Sequence, residues 1–103
     1  MLNAKQRSEN PAARLHLWVT GRVQGVGFRA FVQQTARVHG VTGWVRNVGY
    51  DTVEAVAEGV REKLECFLQT VKTGPRGSYV EDARLEWETP TGEFVRFDVQ
   101  RSL

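Results

Sequence analysis

Apolar and polar residues alternate with a period of two along residues 15–23, where Leu15, Leu17 and Val19 share one face. This alternation predicts a half-buried strand. From Phe28 onward the pattern changes to that of an amphipathic helix, with its stripe at positions 28, 31, 32, 35, 36 and 38. A His-Gly pair at 39–40 is typical of a helix end. The pattern therefore predicts a strand, a glycine-containing loop and a helix.

The same criteria predict the remaining elements. Strands are expected at 41–48, 52–58, 80–88 and 94–99, with turns at 49–51 and 89–92, and a second helical stripe follows Gly59 and runs from 60 to 71. Two helical stripes can both be buried only against one face of a shared sheet. We therefore predict an α+β fold, a ferredoxin-like βαββαβ sandwich with an antiparallel, mixed-order sheet, two helices on one face and a short fifth strand.

Length and composition indicate one soluble globular domain. The chain has 103 residues, of which 41% are hydrophobic and 25% charged. No segment approaches the run of about 18 apolar residues that a membrane span requires. We predict a flexible polar extension over residues 1–13, a folded domain over residues 14–103, and no association with a membrane. The single cysteine, Cys66, has no partner for an internal disulfide, so we expect a cytoplasmic protein.

The distribution of charge argues against a nucleic-acid partner. The formal net charge is +2, and residues 1–14 account for all of it, with three basic side chains against one glutamate. The remainder of the chain carries eleven basic and eleven acidic side chains. A balanced folded part lacks the basic surface that nucleic-acid binding requires.

The segment GRVQGVGFR (residues 21–29) places three glycines and two arginines directly before the first helix. Arg29 in the first helical turn faces the positive end of the helix dipole, which is unfavourable by about 0.3–1 kcal/mol. A bound anion explains both features, because glycines let the N–H groups of Gln24–Phe28 point inward and a guanidinium can bind phosphate oxygens. The alternative is a tight glycine turn with a solvated Arg29. Arg22, at the strand end, is a further candidate for ligand contact.

Two other motifs in this segment do not fit their usual context. GVGFRA (25–30) matches the dinucleotide fingerprint, with Asp51 at roughly the expected distance, but Asp51 falls in a predicted hairpin turn. A fold with two nucleotide-binding halves also needs a longer chain. GFRAFV resembles an RNA-binding aromatic motif, but its aromatic residues have helical spacing.

Asn47 is the second candidate for chemistry, because it lies at a predicted strand end, opposite in phase to Trp44 and Arg46. An asparagine there often shapes the following turn by bonding its own backbone. Alternatively, its amide holds a water molecule, since it offers both donors and an acceptor.

Four blocks of the sequence, GRVQGVGFRAFVQQTA, GVTGWVRN, VEAVAEG and GPRGSYVED, resemble the acylphosphatase family, and the resemblance covers residues 15–100. It implies a ferredoxin-like fold and an enzyme that converts an acyl phosphate and water to a carboxylate and inorganic phosphate. The phosphate-binding loop would comprise Gln24, Gly25, Val26, Gly27, Phe28 and Arg29. By the same resemblance, Arg29 grips the phosphoryl group and Asn47 orients the attacking water.

We further predict a monomer that needs no cofactor and no metal. Cys66, His16 and His39 are scattered along the chain, and we expect both histidines to be structural or solvated, which leaves no histidine as general base. A loose phosphoryl-transfer transition state mainly requires positioning and charge stabilisation. The chain departs from the family at Gly49-Tyr50-Asp51, where Asp-Gly or Asn-Gly is common, so the turn must place its left-handed residue differently.

Two other functions remain compatible with this sequence. One is a non-catalytic anion-binding module of the same fold, which would have no use for a water-orienting Asn47. The other is the acylphosphatase-like domain of a hydrogenase-maturation carbamoyltransferase, a class of much longer proteins.

Overall fold

One five-stranded sheet carries two helices on one of its faces in the computed structural model, which describes residues 11–103. The elements are β1 (Ala12–Arg22), α1 (Phe28–His39), β2 (Thr42–Val48), β3 (Thr52–Val60), α2 (Arg61–Thr73), β4 (Tyr79–Glu88) and β5 (Phe97–Val99). The strand order across the sheet is β4-β1-β3-β2-β5. The predicted α+β class and the βαββαβ order with a short fifth strand are confirmed.

The fifth strand differs from the prediction in both length and direction. β5 covers only Phe97–Val99 instead of 94–99, and it pairs in parallel with β2, whereas the other pairs are antiparallel. Because β4 and β5 lie at opposite edges of the sheet, the intervening residues must cross it before they can pair. Phe97 is therefore buried, while Val95, predicted to share its face, is 86% exposed.

Other boundaries shift by a few residues. β1 begins at Ala12, where Ala12 pairs with Val60 and Ala13 with Gly59, so these two alanines belong to the sheet. Gly59 and Val60 therefore end β3 and do not start the second helix. Pro11 is also described, and its carbonyl accepts a hydrogen bond from Arg61 N at 2.9 Å. Residues 1–10 of the predicted extension lie outside the described residues, where a flexible extension stays a prediction.

The core forms where the two helical stripes meet the inner face of the sheet. β1 contributes Leu15, Leu17 and Val19, each at most 1% exposed, as its alternation predicted. The stripe of α1 buries Phe28, Val32, Thr35 and Ala36, and that of α2 buries Leu64, Phe67, Leu68 and Val71. Burial of a Val, Leu or Phe side chain contributes about 1.5–3 kcal/mol. Neither described helix has the length and hydropathy of a membrane-spanning segment.

The outer face of the sheet holds two buried carboxylates in polar networks. Glu58 accepts hydrogen bonds from the amides of Thr91 (2.8 Å) and Gly92 (2.9 Å) and from Arg14 Nη1 (2.8 Å). Burial by itself raises the pKa of Glu58, but these donors outweigh it and hold that pKa below its ordinary value. The 89–93 connection is thereby fixed on the sheet by its own backbone amides.

Glu54 is held in a similar way at the centre of this face. Its carboxylate lies 2.6 Å from His16 Nε2 and 2.9 Å from Arg46 Nε. Burial again acts to raise the pKa of Glu54, and the bonds to His16 and Arg46 lower it below its ordinary value. His16 therefore lies on the outer face, half-buried and hydrogen-bonded, in agreement with a structural role.

Candidate active site

The loop between β1 and α1 has the backbone conformation of an anion-binding loop. Gly25 and Gly27 adopt left-handed conformations with φ of 75° and 77°. Gly27 is the N-cap of α1, and its carbonyl accepts the first helical hydrogen bond from Phe31 N at 3.0 Å. Within residues 11–103, no protein acceptor is found for the backbone amides of residues 25–30. These amides are the free donors of a helix N-terminus and its preceding nest.

The requirement for glycine in this loop comes from the backbone and not from crowding. A Cβ added at Gly25 or Gly27 would meet no atom within 4 Å. A left-handed conformation nevertheless costs other residues about 1–2 kcal/mol. Gly25 and Gly27 are therefore selected by the geometry that directs the loop amides.

A cavity of about 270 Å³ opens beside this loop. It is formed where the end of β1, the start of α1, the end of β2 and the β5 segment meet. Its lining residues are Val23, Gln24, Gly25, Gly27, Phe28, Arg29, Ala30, Asn47 and Val99. The predicted loop residue Val26 does not line the cavity, because its side chain packs against the core, and its possible contribution is limited to its backbone. Arg22 is exposed at the end of β1 and also lies outside the lining.

Arg29 is half-buried in the first turn of α1 and lines the cavity. Its Nη1 donates to the backbone carbonyl of Gln100 at 3.1 Å. Among the described residues it forms no ion pair, and the first turn of α1 contains no acidic residue. Its positive charge is therefore not neutralised by a carboxylate in the described part of the protein. The alternative from the sequence was a solvated Arg29. Arg29 is instead half-buried and hydrogen-bonded to the backbone carbonyl of Gln100.

Asn47 lies on the helix-facing side of β2, in phase with the buried Val45, and lines the same cavity. Its side-chain Oδ1 is buried and has no hydrogen-bond partner within residues 11–103. The turn-shaping interpretation, in which Oδ1 bonds the following backbone, is therefore wrong. Because a buried polar atom without a partner costs about 1–3 kcal/mol, this oxygen is suited to a water or ligand donor in the cavity.

The side chain of Gln24 is directed away from the amide loop, toward the β2–β3 turn. Its Nε2 lies 2.9 Å from the carbonyl oxygen of Thr52, 3.3 Å from that of Gly49 and 3.5 Å from that of Val48. The three residues of this turn are Gly49-Tyr50-Asp51. Gly49, the first of them, adopts a left-handed conformation with φ of 63°.

The sequence did not reveal the contribution of the C-terminal segment. Val99 lines the cavity, the carbonyl of Gln100 contacts Arg29, and Leu103 N donates to the backbone carbonyl of Asn47 at 2.8 Å. No local signal marks these residues, because they are brought to the site only by the parallel pairing of β5 with β2. Their interactions with Arg29 and Asn47 follow from that pairing.

The structure also groups side chains that could ligate a metal, although the sequence showed no such spacing. His16, Glu86 and Glu88 place one ligand atom each within 4.8 Å of one another on the outer face of the sheet. Both ring nitrogens of His16 already lie near carboxylates, Nε2 near Glu54 at 2.6 Å and Nδ1 near Glu88 at 3.3 Å. This group lies on the face opposite the cavity and has no part in the site described above.

Comparison with known proteins identifies the acylphosphatase family. The acylphosphatase family model matches residues 15–99. An acylphosphatase from Nostoc sp. is 48% identical over 88 residues, which cover 85% of this chain and 86% of the relative. The crystal structure of acylphosphatase from Bacillus subtilis superposes with a TM-score of 0.82 at 38% identity, over 85% of this chain and 98% of the other.

The same fold also occurs inside longer chains. HypF from T. kodakarensis matches with a TM-score of 0.75 and 31% identity, but the match covers 85% of this chain and only 12% of HypF. The relatives that match along most of their own length are acylphosphatases.

Proposed function

Because the chain belongs to the acylphosphatase family, we propose that it hydrolyses acyl phosphates to a carboxylate and inorganic phosphate through the cavity beside the amide loop. The observation that supports this most directly is that one cavity is lined by the amide loop, by Arg29 and by Asn47, whose buried Oδ1 has no protein partner in the described chain. Phosphoryl transfer needs both charge stabilisation and a positioned nucleophile. In this proposal the amide loop and Arg29 stabilise the charge, and Asn47 positions the nucleophile.

The phosphate-binding role falls to the loop Gln24–Phe28 and to Arg29. The amides of a helix N-terminus and nest donate to phosphate oxygens, and the guanidinium adds two donors in a planar arrangement. Charge spreads over the equatorial oxygens in the transition state, so donors fixed before the reaction stabilise it. In comparable oxyanion sites, one such donor contributes about 2.7–4 kcal/mol.

The proposed role of Asn47 is to hold the attacking water. Oδ1 accepts a hydrogen bond from the water, which attacks phosphorus while the bond from phosphorus to the carboxylate oxygen breaks. The carboxylate leaves with that electron pair, and the water protons remain on the products. Because a carboxylate is a good leaving group, no strong general base is needed. His16 is engaged on the outer face of the sheet, consistent with this account.

The deciding experiment compares steady-state hydrolysis of benzoyl phosphate with that of a phosphomonoester, each with and without a chelator. We expect turnover of the acyl phosphate alone, unchanged by chelation. Phosphate binding without turnover would support the anion-binding module instead, and loss of turnover with the chelator would overturn metal independence.

Location and assembly are parts of the same proposal. We propose a cytoplasmic monomer, since Cys66 is free and exposed, as is usual in a reducing compartment. Its exposed large apolar residues within residues 11–103 come from several different elements. Sedimentation equilibrium of the purified chain should give the mass of one chain, and a larger mass would contradict the monomer.

A further inference from the structure

The side chain of Gln24 links the amide loop to the β2–β3 turn. Its backbone belongs to the amide loop, whereas its Nε2 faces three carbonyl oxygens of the β2–β3 turn at 2.9–3.5 Å. Only an NH2 group can be turned toward three carbonyls, so the orientation of the amide is fixed by its partners. With two protons, it bonds best to Thr52 and Gly49, and the contact with Val48 at 3.5 Å is marginal.

The turn that receives this side chain directly follows Asn47. Val48 is the next residue in β2, and Gly49 opens the turn. A second link, from Gly21 N to the carbonyl of Asp51 at 3.0 Å, joins the end of β1 to the same turn without involving a side chain. Removal of the Gln24 amide therefore loosens the loop from the turn but leaves the backbone link.

We propose that Gln24 is a positioning residue that sets the distance between the amide loop and Asn47, and that its side-chain amide does not bind phosphate. This inference depends on the proposed function, since it assigns the geometry of that same site. Phosphate binding requires the loop and Arg29 only, whereas the chemical step also requires Asn47 at the correct distance. Misplacement of one reacting component by about 1 Å reduces the rate by about 100-fold.

The test uses Gln24→Met, which keeps the length of the side chain and removes its donors. We expect kcat for benzoyl phosphate to fall about 10- to 100-fold, with the Kd for inorganic phosphate, measured by calorimetry, within about threefold of the original value. Gln24→Glu is the second variant, because its carboxylate repels the same carbonyls, and it should show the same split. Weaker phosphate binding in step with kcat would assign the side chain to the ligand and overturn the proposal.

A double-mutant cycle with Asn47→Ala separates positioning from a general loss of order. If Gln24 acts through Asn47, Gln24→Met should lower kcat by less than about threefold in the Asn47→Ala background. Fully additive losses would contradict this. Gln33→Met is the matched control, since Gln33 Nε2 donates to the carbonyl of Phe97 at 2.9 Å outside the cavity lining. Gln33→Met should lower the Tm about as much as Gln24→Met does, but it should leave kcat unchanged.

The original protein is assayed first, so that failure of the proposed function is recognised separately. If it binds phosphate but does not hydrolyse benzoyl phosphate, the enzyme assignment fails. The positioning role is then read from NMR shifts of the Asn47 side-chain amide on phosphate addition. A response that Gln24→Met abolishes supports the link, and an unchanged response overturns it.

Discussion

Arg29 Nη1 donates a hydrogen bond to the backbone carbonyl of Gln100 at a distance of 3.1 Å. The two residues are 71 positions apart, and the contact exists because the chain after β5 continues beside β2, where Gln100 N donates to the carbonyl of Val45 at 2.8 Å. A neutral carbonyl orients the guanidinium without cancelling its charge. The contact therefore leaves Arg29 available to an anion, whereas a carboxylate at this position would compete with one.

Arg29→Gln should keep the fold and lose both phosphate binding and hydrolysis. Removal of the cation takes away a preorganised donor, so the transition state should lose at least about 2.7–4 kcal/mol of stabilisation. We therefore expect kcat/KM to fall at least about 100- to 1,000-fold. Arg22→Gln is the charge-matched control, because Arg22 is exposed and outside the cavity lining. Benzoyl phosphate turnover by a folded Arg29→Gln protein at the original rate would refute the assignment.

Asn47→Ala should separate binding from chemistry. Loss of the water-holding oxygen acts on the chemical step, so kcat should fall strongly while the Kd for phosphate changes little. Because Oδ1 has no protein partner in residues 11–103, the substitution breaks no described bond at that atom, and the Tm should not fall. A weaker Kd with an unchanged kcat is the result that contradicts this role.

Deletion of residues 100–103 should weaken phosphate binding. It removes the acceptor that orients Arg29 and the bond from Leu103 N to Asn47 O. Loss of one such hydrogen bond costs about 0.5–1.5 kcal/mol, so we expect Kd for phosphate to rise about 2- to 10-fold. Gln100→Ala keeps the backbone carbonyl and should bind as the original does. An equal loss in Gln100→Ala would show that the side chain is responsible.

Gly27→Ala should reduce both stability and activity. At φ of 77° the new Cβ meets open space, but the backbone conformation itself costs about 1–2 kcal/mol, and its relaxation turns the loop amides away. Gly77→Ala is the matched control, with φ of 91° and open space as well, but outside the cavity lining. Chemical denaturation should show similar losses for both, and only Gly27→Ala should lose phosphate affinity.

Glu58 should make the protein less stable in acid. Its pKa is lower in the folded protein, because the donors from Thr91, Gly92 and Arg14 outweigh the effect of burial. The stabilisation is therefore complete above the unfolded pKa of about 4.3 and is lost as the pH falls through the lower folded value. Glu58→Gln should flatten the dependence of the unfolding free energy on pH below about 4.3. Denaturant titrations between pH 2 and 7 measure this difference, on the order of 1–3 kcal/mol at neutral pH.

Local patterns predicted most of the elements because each depends on neighbours in the chain. The stripe from Phe28 to Ala36 has helical spacing, and the alternation at Leu15, Leu17 and Val19 has strand spacing, whatever surrounds them. The prediction was wrong at Val95 for the same reason. Its alternation is typical of a strand, but those residues must cross from one sheet edge to the other before β5 can pair.

The features of the candidate site also separate into those that depend on local sequence and those that depend on tertiary packing. Glycine spacing before a helix, together with one arginine, is a local property, so the local pattern was enough to propose the amide loop and Arg29 as an anion site. For Asn47 the local pattern left two interpretations open, and only the family resemblance assigned it to the same site. The side-chain link of Gln24 to the turn, the carbonyl of Gln100 at Arg29 and the burial of Asn47 Oδ1 depend on packing of residues far apart in the chain. Strand pairing fixes those distances, and no local pattern encodes them.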